Sequence, residues 1–144
     1  MLRKLVPGFA LALAAMLVFA GAAHAGDPGS ITAQRAHELA RAGEVLLIDV
    51  RRPEEWRETG IGGSARPVSM HERGFVEKLL ALTGGDRSAP LALICAAGVR
   101  SGFLRAQLLQ LGFTRVIDVS EGMLGSAAGA GWLKAGLPVK PYRK

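Results

Sequence analysis

The chain has 144 residues, 18 Lys and Arg against 12 Asp and Glu, and a single cysteine. Its net charge of +6 is spread along the length and its few aromatics are scattered, which argues against the concentrated basic face of a nucleic-acid binder. One cysteine excludes an intramolecular disulfide, and the length allows one core but not two.

The first 25 residues read as a targeting segment. Arg3 and Lys4 open it, an apolar stretch follows over residues 5–23, and Ala23-His24-Ala25 supplies the small-x-small pattern of a signal-peptidase site. The apolar centre is short for a membrane span, so cleavage after Ala25 is expected, leaving residues 26–144 as one domain with a charge of +4 and no stable membrane insertion. A periplasmic or secreted product follows from this reading. The alternative is an uncleaved N-terminal membrane anchor.

After a Gly26-Asp27-Pro28-Gly29 linker, Ser30 or Thr32 can cap a helix carrying Ala33, Ala36, Leu39 and Ala40 at helical spacing and closed by Gly43. Residues 45–50, Val-Leu-Leu-Ile-Asp-Val, form a continuous apolar run of strand length, the pattern of a strand buried on both faces. Pro53 then opens a short helix with Glu54 and Glu55 in its first turn, where they complement the dipole, and Trp56 as an anchor. The glycines and proline of residues 59–68 indicate a loop and a brief extended stretch. Residues 71–82 place Phe75, Leu79 and Leu82 on one helical face.

Residues 83–88 read as an exposed turn, and Leu91-Ala92-Leu93-Ile94 as a second buried strand ending at Cys95. From Arg100 a helix runs through Phe103, Leu104, Leu108 and Leu111 to Gly112, and residues 115–119 supply a third strand. The Gly- and Ala-rich segment 121–136, around Trp132, predicts a loop and a weak helix before an extended end at 137–139. The basic tail, with Lys140, Arg143 and Lys144, reads as a solvated end. Strands alternating with helices predict an α/β domain with a mainly parallel sheet, in which ligands bind beyond the carboxyl ends of the strands.

Cys95 is predicted at such an end. In Cys95-Ala96-Ala97-Gly98-Val99-Arg100-Ser101, between a strand and a helix, backbone N–H groups can converge on one point while the helix N-terminus adds positive potential. That field favours an anion, including a thiolate. Gly98 permits a conformation closed to other residues, and Ala96 and Ala97 leave the donors accessible. Read from the residues alone, Cys95 could also be a buried hydrophobe with Arg100 bridging to a carboxylate.

At this point the sequence resembles the rhodanese family. Cys95 to Ser101 matches its Cys-x-x-Gly-x-Arg-Ser loop, and Leu47-Ile48-Asp49-Val50-Arg51 followed by Pro53-Glu54-Glu55-Trp56 matches its upstream signature. Gly122, the Trp132 region and the closing Gly136-Leu137-Pro138-Val139 extend the match over essentially the whole domain. The resemblance implies a central, mainly parallel sheet of about five strands flanked by helices. It also implies sulfur transfer in two halves: Cys95 takes the outer sulfur of a donor such as thiosulfate as a persulfide, then passes it to a thiophilic acceptor. Ala96, Ala97, Gly98, Val99 and Arg100 would hold the persulfide, with Asp49, Arg51 and Ser101 in support.

Four residues separate Cys95 from Arg100, whereas the related phosphatases have one more to fit a phosphate. The sequence departs from many members in carrying Ala96 and Ala97 where a cationic or polar side chain follows the cysteine, and Thr59-Gly60-Ile61 where they have Gly-His-Ile. The first departure favours an alternative, a sulfur-carrier or protein-binding module that receives sulfur from a protein partner and turns over small donors poorly. A redox sensor is disfavoured for want of a resolving cysteine.

No cofactor or metal is expected. His37 and His71 lack a second ligand at metal-binding spacing and read as exposed helix residues. Arg51 and Arg52 either line the approach to the site or pair with Glu54 and Glu55 at the surface. Trp56 and Trp132 read as packing anchors, Asp49 as ordering the scaffold by hydrogen bonds, and Asp118 has no assigned role.

Overall fold

A computed structural model describes residues 27–143. The expected signal segment, residues 1–25, lies outside them. The chain order is β1 (Ser30–Ile31), α1 (Ala33–Arg41), β2 (Leu46–Asp49), α2 (Pro53–Thr59), β3 (Ile61–Gly62), β4 (Arg66–Pro67), α3 (Phe75–Leu82), β5 (Leu91–Ile94), α4 (Val99–Gln110), β6 (Val116–Val119), α5 (Gly131–Lys134) and β7 (Val139–Lys140).

Five strands pair in the order β1-β6-β5-β2-β4, every pairing parallel, and β3 and β7 form a separate antiparallel pair. The apolar runs over 45–50, 91–94 and 115–119 are the three central strands. Apart from Asp49, Arg115 and Asp118 they are apolar, because both faces are covered. Leu46, Ile48, Leu91, Leu93 and Val116 meet Phe75 and Leu79 of α3 and Leu104 and Leu108 of α4. Leu47, Ala92, Ile94 and Val119 meet Ala33 and Ala36 of α1 and Trp132 of α5 on the other face. Continuing this alternation, Cys95 follows Leu91 and Leu93 onto the α3–α4 face.

Several local expectations are decided or corrected. Thr32 caps α1, accepting from Arg35 N–H at 3.1 Å, and Ser30 instead pairs with β6 as an edge strand too short for a periodicity signal. His37 is buried, not exposed: it faces α5, where its ring meets Trp132 edge-on at 5.5 Å. His71 is exposed but lies in the turn before α3, a helix that begins four residues later. Leu82, Phe103 and Leu111 are exposed, because the sheet covers a narrower stripe of α3 and α4 than their apolar residues span. In the tail, Lys140 pairs with Ile61 and Tyr142 packs on Trp56 with ring centroids 4.9 Å apart, so the end of the domain is partly docked.

Candidate active site

β5 ends at Ile94 and α4 begins at Val99, so residues 95–98 turn the chain from the sheet into a helix within four residues. Cys95 is 1% exposed. Gly98 N–H donates to its Sγ at 3.1 Å and Ser101 N–H approaches it at 3.5 Å, while the Ser101 hydroxyl lies 3.2 Å away. The sulfur thus sits against the first turn of α4 among donors suited to an anion.

Two glycines set this geometry. Gly98 caps α4 with φ +82°, and a Cβ there would fall 2.3 Å from the Ser120 carbonyl oxygen. Gly122 has φ +66°, and its Cβ would lie 2.3 Å from the Ala96 carbonyl oxygen. Both positions combine left-handed backbone with backbone contact, which no other residue satisfies without strain. The segment after β6 also clamps the loop directly: Met123 N–H donates to Cys95 O at 2.8 Å and Leu124 N–H to Ala96 O at 2.9 Å. Sequence reading aligned Gly122 with a family position but missed this clamp, since residue separation carries no signal of it.

Arg100 does not stand free in the loop. Its guanidinium makes a two-pronged contact with Glu55, Nη1 to Oε2 at 2.7 Å and Nη2 to Oε1 at 2.6 Å, and Glu55 Oε2 also accepts from Arg52 N–H at 3.0 Å. Glu55 therefore ties the start of α2 to the start of α4. The Arg100 hydrogen bonds hold its carboxyl well below the ordinary value, at about 2, against the opposing effect of burial. His71 stands beside the pair, its pKa lowered by burial and then by the positive charges of Arg52 and Arg100.

Arg51 neither lines the approach to the site nor pairs with a glutamate side chain at the surface. Its side chain is 1% exposed and lies along Asp49, with Nε 3.0 Å from Oδ1 and Nη2 2.8 Å from Oδ2. Nη2 also donates to Gly60 O at 2.9 Å and Nη1 to Thr59 Oγ1 at 2.9 Å. Asp49 thus orders the scaffold by orienting Arg51, which fastens the end of α2 to β2. Arg52 is exposed, and only its backbone meets Glu55. Of the expected supporting residues, Ser101 alone contacts the sulfur.

Val99 points outward at 79% exposed and Phe103, one turn along α4, is 62% exposed. Ala97 is exposed and Ala96 partly so. Among the described residues, no group of three His, Cys, Asp or Glu side chains is placed to hold a metal ion.

This architecture recurs in known proteins. A sulfurtransferase of Allochromatium vinosum is 29% identical over 104 residues, covering 72% of this chain and 86% of that one. The tRNA uridine(34) hydroxylase of Chlamydia pneumoniae is also 29% identical, over 108 residues, but this chain spans only 33% of its length. The polysulfide-sulfur transferase homodimer of Wolinella succinogenes superposes with a TM-score of 0.59 at 28% identity, over 78% of each chain. The model of the rhodanese-like domain matches residues 32–128, which take in four of the five strands of the parallel sheet, the Cys95 loop and the segment that clamps it, and the chain belongs to the rhodanese-like domain family.

Proposed function

We propose that the chain is a sulfurtransferase carrying sulfur on Cys95. The observation that supports this most directly is the Cys95 Sγ held at the end of β5 by the Gly98 N–H and the Ser101 hydroxyl, at 3.1 and 3.2 Å. In the first half-reaction the thiolate attacks the outer sulfur of the donor. A new S–S bond forms at Cys95, and the donor's S–S bond breaks with its electron pair leaving on the departing group, sulfite when thiosulfate is the donor. In the second, a thiophilic acceptor such as cyanide attacks the outer sulfur, and the Cys95 thiolate leaves.

The backbone of Ala96, Ala97, Gly98, Val99 and Arg100 serves as the cradle for the persulfide, in the manner of an oxyanion hole. Ser101 donates to the sulfur, and Asp49 with Arg51 keeps β2 and α2 in place beside it. A thiol 1% exposed favours a donor with a narrow sulfur terminus over a bulky electrophile. The protein acts outside the cytoplasm, after cleavage at Ala25.

The test is direct. Purified protein mixed with thiosulfate and cyanide should release thiocyanate and, before cyanide is added, gain the mass of one sulfur on Cys95; Cys95→Ser should do neither. No persulfide with thiosulfate, polysulfide or any other sulfane donor overturns the reading. Mass spectrometry of the protein from its native compartment reports the cleavage site.

One observation favours a second reading, in which a partner protein delivers or collects the sulfur and small donors are poor substrates. Ala96 and Ala97 offer no charge and Arg100 is held by Glu55, so a doubly charged donor meets no unpaired cationic side chain from the loop, while Val99 and Phe103 present an apolar strip beside it. Retention of a bound partner by Cys95→Ser, with slow thiocyanate release by the wild type, supports this second reading.

A further inference from the structure

β6 ends at Val119, and residues 120–124 then run beside the Cys95 loop. Ser120 and Gly122 press on it. The Ser120 carbonyl closes on Gly98, and Gly122 lies against the Ala96–Ala97 peptide, where a Cβ would fall 2.7 Å from Ala97 N. Met123 and Leu124 hold the carbonyls of Cys95 and Ala96, and in doing so they aim donors. Both peptides are trans, so each carbonyl turned toward residues 123 and 124 turns the N–H of the same peptide away from them. Those are the N–H groups of Ala96 and Ala97, and neither donates to an acceptor among the described residues. They are left for an anionic sulfur.

Between the two residues that press on the loop stands Glu121, half-buried. Its Oε2 accepts at 3.1 Å from the N–H of Ala33, the first residue of α1, a donor that helix geometry leaves without an intrahelical acceptor. The chain makes room for this carboxylate: a Cβ on Gly129 would lie 2.2 Å from Glu121 Oε1. One residue back, the hydroxyls of Ser120 and Ser30 meet at 2.7 Å. From α5, Trp132 N–H and Leu133 N–H hold the carbonyls of Gly122 and Met123 at 3.0 and 3.1 Å. The segment is thus fixed to α5 through its backbone and to α1 through the Glu121 side chain.

We propose that Glu121 is a positioning residue for sulfur transfer: its grip on the N-terminus of α1 keeps residues 122–124 against the loop, and so keeps the Ala96 and Ala97 N–H groups aimed at the sulfur that Cys95 carries. Preorganised donors stabilise developing charge only where they already point, within about 0.5 Å, so a segment that drifts costs rate before it costs fold. The grip needs an acceptor at that reach; it does not need the negative charge.

The inference rests on the proposed function, and one arm of its test uses no sulfur donor. Glu121→Asp keeps the charge but draws the carboxylate back by one methylene from Ala33 N–H, whereas Glu121→Gln keeps the reach without the charge. In the thiocyanate assay Glu121→Asp should lower kcat about fivefold to tenfold with KM for thiosulfate changed less than about twofold, and Glu121→Gln should stay within about twofold of wild type. Without donor, amide hydrogen exchange at Met123 and Leu124 should quicken in Glu121→Asp, while Ile48 and Leu93, paired in the central strands, exchange as before. A side chain that merely stabilised the fold would quicken all four and spare kcat. Wild-type kcat in Glu121→Asp, a lost rate with unchanged exchange, or a Gln variant as slow as Asp each overturns the inference. If no donor puts a persulfide on the wild type, it is the proposed function that fails, and the exchange arm still decides whether Glu121 holds the segment. Should Glu121→Asp not fold, the wild-type amides of Ala33, Met123 and Leu124 should open as one unit with matching free energies; unequal opening overturns the inference.

Discussion

Two of the arginine–carboxylate pairs among the described residues, Arg51 with Asp49 and Arg100 with Glu55, differ in kind. Arg51 and Asp49 are 1% and 0% exposed, and the guanidinium meets a carboxylate, a carbonyl and a hydroxyl together. Arg100 and Glu55 are 30% and 27% exposed and meet chiefly each other. The first pair is surrounded by core and fixes where α2 joins the sheet. The second links two helix starts at the rim of the cysteine loop, where water screens it. Burial, not geometry, separates a pair whose loss strands a charge from one whose loss releases a side chain.

The largest consequence falls on the buried pair. Asp49→Ala leaves the Arg51 guanidinium without its counter-charge in a site closed to water, and should lower stability by about 3–5 kcal/mol in urea denaturation. A loss under about 1 kcal/mol would show that Arg51 finds water or another acceptor. Arg51→Lys keeps the charge but cannot reach Asp49, Thr59 and Gly60 at once, and should cost about 2 kcal/mol.

At the rim the effects move from stability to catalysis. Glu55→Gln should destabilise by about 1 kcal/mol, since the pair is open to solvent. It also frees Arg100, and in the thiocyanate assay the KM for thiosulfate should fall about threefold with kcat little changed, a shift of roughly 0.6 kcal/mol in donor binding. A raised KM would mean that Arg100 serves the donor only when Glu55 holds it.

The pH dependence has a definite sign. Glu55 has its carboxyl lowered from 4.5 to about 2 in the folded protein, so its contribution is fully present above 4.5 and is lost as the pH falls toward about 2. The stability difference between wild type and Glu55→Gln should therefore be flat near neutrality and vanish in that acid window. The smallest effect is that of salt. Raising ionic strength to about 1 M shortens the screening length to roughly 3 Å and should erase a few tenths of a kcal/mol of the rim pair, leaving the cost of Asp49→Ala unchanged.

Much of this could be read before folding. A strand covered on both faces needs mainly apolar residues, so β2, β5 and β6 stand out as short apolar segments broken only by Asp49 and Asp118, and a loop of four residues between Cys95 and Arg100 fixes its own local turn. The two-residue strands β1, β3, β4 and β7 were less legible, because so short a segment has no period. His37 was misplaced for a different reason: its exposure depends on Trp132 arriving from almost a hundred residues away.

The sequence by itself determined the α/β class, the position of Cys95 at a strand end and the glycine that lets the loop close on it, because each depends on neighbours along the chain. Only the tertiary structure decided the partners of the charged side chains: Arg51 inward on Asp49 and Arg100 outward on Glu55. Those contacts depend on sheet order and register, which bring β2, α2, α4 and β6 together, and nothing in the spacing of the residues encodes how deeply each pair is buried.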